Sequence, residues 1–318
     1  MAPITDAYES RVTKDAAIIM RRDPVVYSDL TQEIAPGATR EQLEGFKQDG
    51  FMLLENFLSA HETRALLEEV TRMTRDPKIS GRDEAICEPG SNIVRSVFKV
   101  HKLNNTLSRL ARDRRLVNIA RQILGSDVYI HQSRANLKPG LFGKDFYWHS
   151  DFETWHVEDG MPNMRAVSCS ILLTDNSEHN GPLMIMPGSH QYFISCIGET
   201  PANHYKESLR KQEYGVPDPD SLRFLADQGG IRSMAAPAGS VVFFDCNAMH
   251  GSNSNITPYP RSNVFFVYNS VENTLNAPKY GLTPRPEHVA TREDFTAIQP
   301  VEPDYLRDVS KTREEVIR

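Results

Sequence analysis

Two histidines and one aspartate have the residue types and spacing of a metal site. His149 and Asp151 lie two residues apart in the run FYWHSDFETWHVEDG, and residues i and i+2 of an extended chain point to the same side. His250 follows the apolar run VVFF in the turn DCNAMHGSN. Two histidines and one carboxylate form the facial triad of non-haem Fe(II) oxygenases, which leaves other coordination positions open. The three residues therefore predict an Fe(II) centre that can accept a 2-oxo acid and O2.

Arg261 adds a second feature expected of such a site. It stands eleven residues after His250, at the head of the predicted strand SNVFFVYNS. A guanidinium binds a carboxylate through two parallel hydrogen bonds, as the distal carboxylate of 2-oxoglutarate requires. An exposed arginine at a strand end is the alternative for this residue alone. Its combination with the triad favours the role in binding the keto acid.

The elements that must position these residues change in character along the chain. Capping residues and helical periodicity predict helices after Thr39 and Ser59, and a third from Leu107 to a C-terminal cap at Gly125. Short apolar runs separated by turns follow, with serines alternating against apolar residues in 166–173. This pattern predicts a mainly β sandwich or jelly roll with flanking helices.

We expect one domain over the whole chain, 1–318. Its predicted parts are a helical region at about 1–125, a β core at about 126–275 and a C-terminal extension. A polar, proline-interrupted segment at 195–232 is predicted to be an insertion near the site.

Composition excludes several classes of protein. The net charge of -6 argues against a nucleic-acid binder, which usually carries a basic face. No apolar run is long enough for a membrane span, and the N-terminal region lacks the pattern of an export signal. The four cysteines are widely separated and include no CxxC pair, so we expect the reduced thiols of a cytoplasmic protein.

These motifs resemble those of the phytanoyl-CoA dioxygenase family of 2-oxoglutarate-dependent oxygenases. The shared features are the HxD pair, the distal histidine and the arginine eleven residues later, and the runs QDGFMLLENFLS and PGSH are also similar. The run FYWHSDFETWHVEDGMPNMRAVSCSILL narrows the resemblance to the members that hydroxylate ectoine. A small residue in place of Asp151 would instead have suggested a related halogenase.

The resemblance implies a double-stranded β-helix (cupin-like jelly-roll) core, a homodimer and a cytoplasmic location. It also implies conversion of ectoine to 5-hydroxyectoine, with 2-oxoglutarate and O2 yielding succinate and CO2. The biological role would be compatible-solute synthesis under osmotic stress.

The resemblance further assigns residues to the two organic ligands. Those implied around 2-oxoglutarate, besides Arg261, are Gln132, Asn136, Lys138, Ser168, Ser252, Phe98 and Phe146. Ectoine is a zwitterionic cyclic amidine, so its pocket needs a cation for the carboxylate and an aromatic wall or carboxylate for the amidinium. Residues that meet these needs are Arg134, Trp155, Phe244, Phe265 and Glu153, with Gln132 shared between the two ligands. Core packing is the alternative for the three aromatic residues.

Three other functions stay open at this point. A family member could hydroxylate a different small zwitterion. A non-catalytic β-barrel protein could hold Zn(II) through the same three side chains, because zinc accepts histidine and aspartate readily. A metal-dependent hydrolase would need a general base beside the metal-bound water, and the sequence offers no clear candidate.

Overall fold

The structure is a computed structural model that describes residues 6–12, 15–31, 34–87, 93–198, 200 and 215–303. The middle of the predicted polar insertion, 199 and 201–214, lies outside these described residues. Within the described part of the chain, no helix combines the length and the apolar character needed to cross a membrane.

Antiparallel strands form most of the region that carries the site. In chain order the strands are β1 (Ala17–Met20), β2 (Phe51–Leu54), β3 (Ala85–Cys87), β4 (Val94–Phe98), β5 (Val128–Lys138), β6 (Phe146–His149), β7 (Ala166–Leu172), β8 (Leu183–Ile185), β9 (Tyr192–Ser195), β10 (Arg232–Ser233), β11 (Val241–Asp245), β12 (His250–Ser252) and β13 (Arg261–Ser270). A seven-stranded sheet has the order β2-β11-β7-β13-β5-β4-β3, and a four-stranded sheet has the order β10-β8-β12-β6. The remaining pair is β1-β9.

Helices precede and flank the sheets. They are α1 (Arg40–Asp49), α2 (Ala60–Arg75), α3 (Pro77–Ser80), α4 (Val100–Leu103), α5 (Asn105–Leu110), α6 (Arg114–Leu124), α7 (Asp151–Thr154) and α8 (Pro219–Gly229), with a π-helix at Trp155–Asp159 and 3₁₀ turns at Ser189–Gln191 and Lys279–Gly281. The predicted capping boxes at Thr39 and Ser59 are present, and Gly125 ends α6 in the left-handed conformation. The predicted third helix is two helices, because Asp113 accepts a hydrogen bond from the Arg115 amide and starts α6.

The alternation in β7 separates the two faces of the large sheet. Val167, Cys169 and Ile171 join the core that the helices bury against the outer face. Leu172 faces the other way, into a second core with Leu183 of the small sheet. Two antiparallel sheets facing each other, with helices outside, are the jelly-roll architecture that the sequence pattern predicts. Polar residues on the inner face therefore point between the sheets, where the site lies.

Candidate metal centre

Two short strands and one short helix bring the predicted triad together. His149 is the last residue of β6, and His250 is the first residue of β12, directly opposite it in the antiparallel pair. Asp151 begins α7, after Ser150 at the N-cap position. The chain thus turns from strand to helix between His149 and Asp151. The expectation that both residues share one extended strand is wrong, although their side chains do converge.

The ligand atoms of the three side chains lie within 4.8 Å of one another. Nε2 of His149 is 3.8 Å from Oδ1 of Asp151, and Nε2 of His250 is 3.9 Å from Oδ2 of the same carboxylate. Nδ1 of His149 is 2.8 Å from the Tyr147 carbonyl, and Nδ1 of His250 is 3.0 Å from the Ala248 carbonyl. A carbonyl only accepts, so Nδ1 carries the proton in each ring and Nε2 keeps its lone pair for a metal.

Burial keeps His149 neutral, and neighbouring aromatic rings pack against both histidines. Desolvation, with a further contribution from His250, lowers the pKa of His149 to about 3. The ring of Phe146 packs against His149 at 4.9 Å, and the ring of Phe244 packs against His250 at 5.0 Å. Both imidazoles are therefore held in place, and His149 is neutral near pH 7, as a metal ligand must be.

A polar pocket opens beside the two histidines. Its lining residues are Arg95, Ser96, Phe98, Arg134, Asn136, Leu137, Lys138, Gly143, Lys144, Phe146, His149, Leu183, His250, Gly251, Ser252, Arg261 and Phe265. Strand pairing sets the arrangement, since Arg261 lies opposite Lys138 and Phe265 lies opposite Arg134 across β13 and β5. The guanidinium of Arg134 stacks 4.9 Å from the centre of the Phe265 ring.

Two arginines of this pocket lack a carboxylate partner in the part of the chain that the structure describes. Among the described residues, no carboxylate lies within 4.0 Å of the guanidinium of Arg134 or Arg261, and both Nε atoms lack a hydrogen-bond partner. Arg261 is only 2% exposed, and burial together with Arg134 lowers the pKa of Arg261 to about 10. Desolvation lowers the pKa of Arg134 as well; Asp151 opposes this shift and Arg95 adds to it. A buried cation such as Arg261 and the half-buried Arg134 beside it favour an anionic ligand.

Hydrogen bonds orient the other polar residues of the pocket. Nζ of Lys138 donates to Oγ of Ser252 at 2.9 Å and to the carbonyl of Asn253. The hydroxyl of Ser96 donates to Oδ1 of Asn136 at 3.3 Å. These contacts fix side chains that point at the same space as Arg261.

Ser168 lies beside the triad instead, on the inner face of β7. Its hydroxyl donates to Oδ2 of Asp151 at 3.3 Å. The contact can orient the carboxylate for a metal.

Besides Ser168 and Phe244, three more residues predicted to bind an organic ligand do not line this pocket. The amide of Gln132 donates to the Val289 carbonyl at 2.8 Å. Trp155 is buried in an aromatic cluster beside α7, with its ring 5.0 Å from that of His131. Oε1 of Glu153 accepts from the hydroxyl of Ser10 at 2.6 Å, and the same carboxylate forms an ion pair with an arginine of the N-terminal segment. The structure therefore gives each of these three a contact outside the pocket.

Arg95 is the main pocket residue that the sequence reasoning missed. It belongs to β4, whose run VRSVF reads as an ordinary apolar strand with an exposed arginine. The register shift between β3 and β4 at Ile86 and Cys87 breaks simple alternation, so local spacing did not reveal the direction of this side chain. Arg95 is only 8% exposed, and this burial results from tertiary packing that local sequence does not reveal.

The donor set and the pocket together fit one class of chemistry. Two neutral imidazoles and one carboxylate suit a divalent first-row metal such as Fe(II), and three protein donors leave positions for other ligands. The adjacent cations suit a small dicarboxylate. The metal-facing atoms are preformed, because each histidine is already held in the required tautomer by a carbonyl.

The sequence is similar to that of characterised enzymes over most of its length. The phytanoyl-CoA dioxygenase family profile matches residues 46–263. A protein of Bordetella bronchiseptica named ectoine dioxygenase is 66% identical over 302 residues, which cover 95% of this chain and 97% of the relative. The ectoine dioxygenase of Stutzerimonas stutzeri is 55% identical, with 95% of this chain and 99% of the relative covered.

The structure is also similar to solved structures of enzymes with related names. The crystal structure of EctD from S. alaskensis with 2-oxoglutarate and 5-hydroxyectoine superposes with a TM-score of 0.83 at 45% identity, covering 93% of this chain and 98% of that one. The same enzyme with bound Fe also gives 0.83, at 44% identity and the same coverage. The α-ketoglutarate-dependent carbocyclase SnoK, at 19% identity and a TM-score of 0.58, covers 83% of this chain and 94% of its own and shares the fold.

Proposed function

The chain belongs to the phytanoyl-CoA dioxygenase family, and from this premise we propose that it is an Fe(II)- and 2-oxoglutarate-dependent dioxygenase that hydroxylates ectoine to 5-hydroxyectoine. The observation that carries the proposal is the juxtaposition of a His–Asp–His donor set with Arg134 and Arg261, which have no carboxylate partner among the described residues. A site that binds only zinc would not require arginines without carboxylate partners beside the metal ligands. The identity to enzymes named ectoine dioxygenase supports the choice of substrate.

We propose that His149, Asp151 and His250 hold Fe(II), each through an atom that faces the other two. When bound, the metal would couple oxidative decarboxylation of 2-oxoglutarate by O2 to hydroxylation of an unactivated C–H bond. The protein positions the reactants and keeps water out. The rings of Phe146 and Phe244 pack on the two histidines and supply part of that shielding.

Arg261 is proposed to bind the distal carboxylate of 2-oxoglutarate through two parallel N–H donors of its guanidinium. Its buried charge would gain the anionic partner that it lacks among the described residues. Lys138 lies opposite it and adds charge to the same end of the pocket. The other proposed contacts to this cosubstrate are Asn136, Ser252, Phe98, Phe146, Ser168 and Gln132.

Arg134 is proposed to pair with the ectoine carboxylate. It lies close enough to Asp151 for the two charges to influence each other, and it stacks on Phe265 in the same pocket. The further proposed substrate residues are Phe244, Trp155, Glu153 and Gln132. For the last three, binding would require contact from the far side of α7 or a change of hydrogen-bond partner, because their present contacts lie outside the pocket.

The cellular location, the oligomeric state and the biological role of the enzyme are also proposed. All four cysteines are unpaired, as expected for the reducing cytoplasm. We propose that the chain forms one catalytic domain over 1–318, assembles as a homodimer in the cytoplasm and makes a compatible solute under osmotic stress. Ultracentrifugation of the purified protein tests the dimer directly.

Product analysis tests the proposed reaction. The protein is loaded anaerobically with Fe(II) and mixed with 2-oxoglutarate, ectoine and air, and succinate and the mass of ectoine are followed together. We expect ectoine to gain one oxygen atom for each succinate formed. Succinate formation that is stimulated by a different zwitterion and not by ectoine would indicate a related hydroxylase. If iron-loaded protein formed neither succinate nor hydroxylated ectoine, the proposed enzymatic activity would be contradicted.

A further inference from the structure

The chain before the family match, up to residue 45, contributes two buried arginines to the neighbourhood of the triad. Arg11 reaches the helix that begins with Asp151, and Arg21 reaches the turn that leads to His250. Both guanidinium groups are only 2% exposed. Neither arginine lines the pocket beside the triad, so neither is placed to touch a ligand.

Arg11 holds two carboxylates of the helix after Asp151. Its Nε and Nη2 donate to the two oxygens of Glu153 at 2.9 and 2.6 Å, and its Nη1 donates to Glu158 at 2.6 Å. Burial alone would lower the pKa of Arg11, but these two carboxylates raise it above its usual value. A planar guanidinium that makes three such bonds restrains both the position and the rotation of the helix.

The backbone of Arg11 is strained, and the ion pair between Arg11 and Glu153 is tightly enclosed. Its φ of 61° lies in the left-handed region, which costs a non-glycine residue about 1 kcal/mol. Gly215 covers the ion pair, and a Cβ atom there would be 2.3 Å from Oε2 of Glu153 and 2.5 Å from Nη2 of Arg11. Strained residues persist where the surroundings fix them, and they occur often at functional sites.

Arg21 holds the turn before His250. Its Nη1 donates to Oδ1 of Asp245 at 2.8 Å, and its Nη2 donates to the Met164 carbonyl at 2.9 Å. The same Asp245 oxygen accepts from the backbone amide of Asn247 at 2.8 Å, which shapes the turn. Arg21 therefore anchors the first residue of the segment that ends at the metal ligand.

The two ligand-bearing segments are also joined to each other. The backbone amide of Phe152 donates to the Cys246 carbonyl at 2.8 Å, and the hydroxyl of Ser150 donates to Oδ1 of Asn247 at 3.0 Å. A shift of either segment would therefore be transmitted to the other ligand. Arg11 and Arg21 hold this joined unit from its two ends.

We infer that Arg11 and Arg21 are positioning residues for the metal centre, which hold the Asp151 helix and the His250 turn at the separation that metal binding requires. The inference rests on the proposed iron centre. Loss of a partner beyond the ligands typically weakens metal affinity 10–100-fold. Because both arginines act through intervening residues, we expect the lower end of that range, roughly 10-fold.

The test is Fe(II) affinity of the folded protein, measured anaerobically by competition with a chelator. Arg11→Lys and Arg21→Lys keep the charge but lose the planar geometry of the guanidinium, so they disturb the fold less than removal of the charge would. The matched control is Arg115→Lys. Arg115 also pairs with two carboxylates, Glu62 and Asp113, but it does so in the helical layer, away from the triad.

We expect Fe(II) affinity to fall roughly 10-fold in each of the two test variants and to stay at the wild-type value in Arg115→Lys. The value of kcat should fall with affinity at limiting iron, while the KM for 2-oxoglutarate stays unchanged. Wild-type Fe(II) affinity in both test variants, with only a lower melting temperature, would overturn the inference and leave the proposed function intact. Failure of the wild type itself to bind Fe(II) would overturn both.

Discussion

Two groups of charges lie in the interior near α7 and the triad, and they differ in whether their charges are paired. In the first group Arg285 forms a two-point ion pair with Asp159, and Arg11 does the same with Glu153. In the second group the buried Arg261 and the half-buried Arg134 have no carboxylate within ion-pairing distance among the described residues.

The difference separates charges that are satisfied within the chain from charges that are proposed to bind a ligand. A buried ion pair with satisfied hydrogen bonds is complete within the chain, and its loss leaves an uncompensated charge. A buried cation with no anion costs free energy until a ligand supplies one. We therefore propose that the paired group holds the helix of the predicted metal ligand Asp151 and that the unpaired group forms the cosubstrate pocket.

The largest effect is expected at the triad, which joins the two groups. Asp151→Ala removes the carboxylate that lies beside both histidines, so metal binding should be lost. Hydroxylation should fall on the order of 10³-fold or more, since metal activation is worth several kcal/mol. Iron content and succinate formation measure this. Full iron content and activity in Asp151→Ala would show that Asp151 is not a metal ligand. The same loss of iron and activity is expected for His149→Ala and His250→Ala.

The next largest effect is expected where a paired charge is broken. Arg285→Gln leaves Asp159 buried without its main partner, and the free energy of unfolding should fall by about 3–5 kcal/mol. Denaturant titration of the metal-free protein measures this. A loss below about 1 kcal/mol would show that the pair contributes little and would weaken the distinction between the groups.

Arg261→Gln is the matched change in the unpaired group. The KM for 2-oxoglutarate should rise roughly 30–100-fold, corresponding to about 2–3 kcal/mol for a lost charged hydrogen-bond pair. The free energy of unfolding without ligand should stay the same or rise, because a buried cation without an anion is removed. Steady-state kinetics and denaturant titration measure the two quantities. An unchanged KM would mean that another residue binds the carboxylate.

The smallest effect concerns acid stability of the paired group. Burial alone would raise the pKa of Asp159, but Arg285 and His131 lower it to about 2, below the ordinary 3.8. The ionised form therefore stabilises the fold above pH 3.8, and this contribution is lost as the pH falls from 3.8 towards 2. Between pH 4 and pH 3, the wild type should lose about 1 kcal/mol more than Asp159→Asn. Parallel pH profiles would contradict the lowered pKa.

Local sequence pattern was sufficient for much of the fold and for the three ligands. The alternation of serines and apolar residues predicted a strand at β7, whose apolar residues the structure packs with the helices, and the capping residues at Thr39 and Ser59 predicted two helix starts. The HxD pair and the histidine after an apolar strand predicted the cluster that the structure brings together, because the residue types typical of a metal site can be recognised in each segment separately.

Contacts between distant segments could not be predicted in this way. Arg11 and Glu153 are 142 residues apart, and Arg21 and Asp245 are 224 apart, so no spacing rule links them. Glu153 was predicted to face the substrate because of its chemistry alone. The structure shows that its carboxylate is occupied by an arginine from outside the matched family region.

Binding of 2-oxoglutarate to iron-loaded protein without O2 tests most directly the claim that unpaired buried cations mark the cosubstrate pocket. Calorimetric titration compares the wild type with Arg261→Gln and with Arg11→Lys, the latter fully loaded with Fe(II). We predict tight binding to the wild type, binding weakened roughly 30–100-fold in Arg261→Gln and near-wild-type binding in Arg11→Lys. Equal affinity in the wild type and Arg261→Gln would contradict the account.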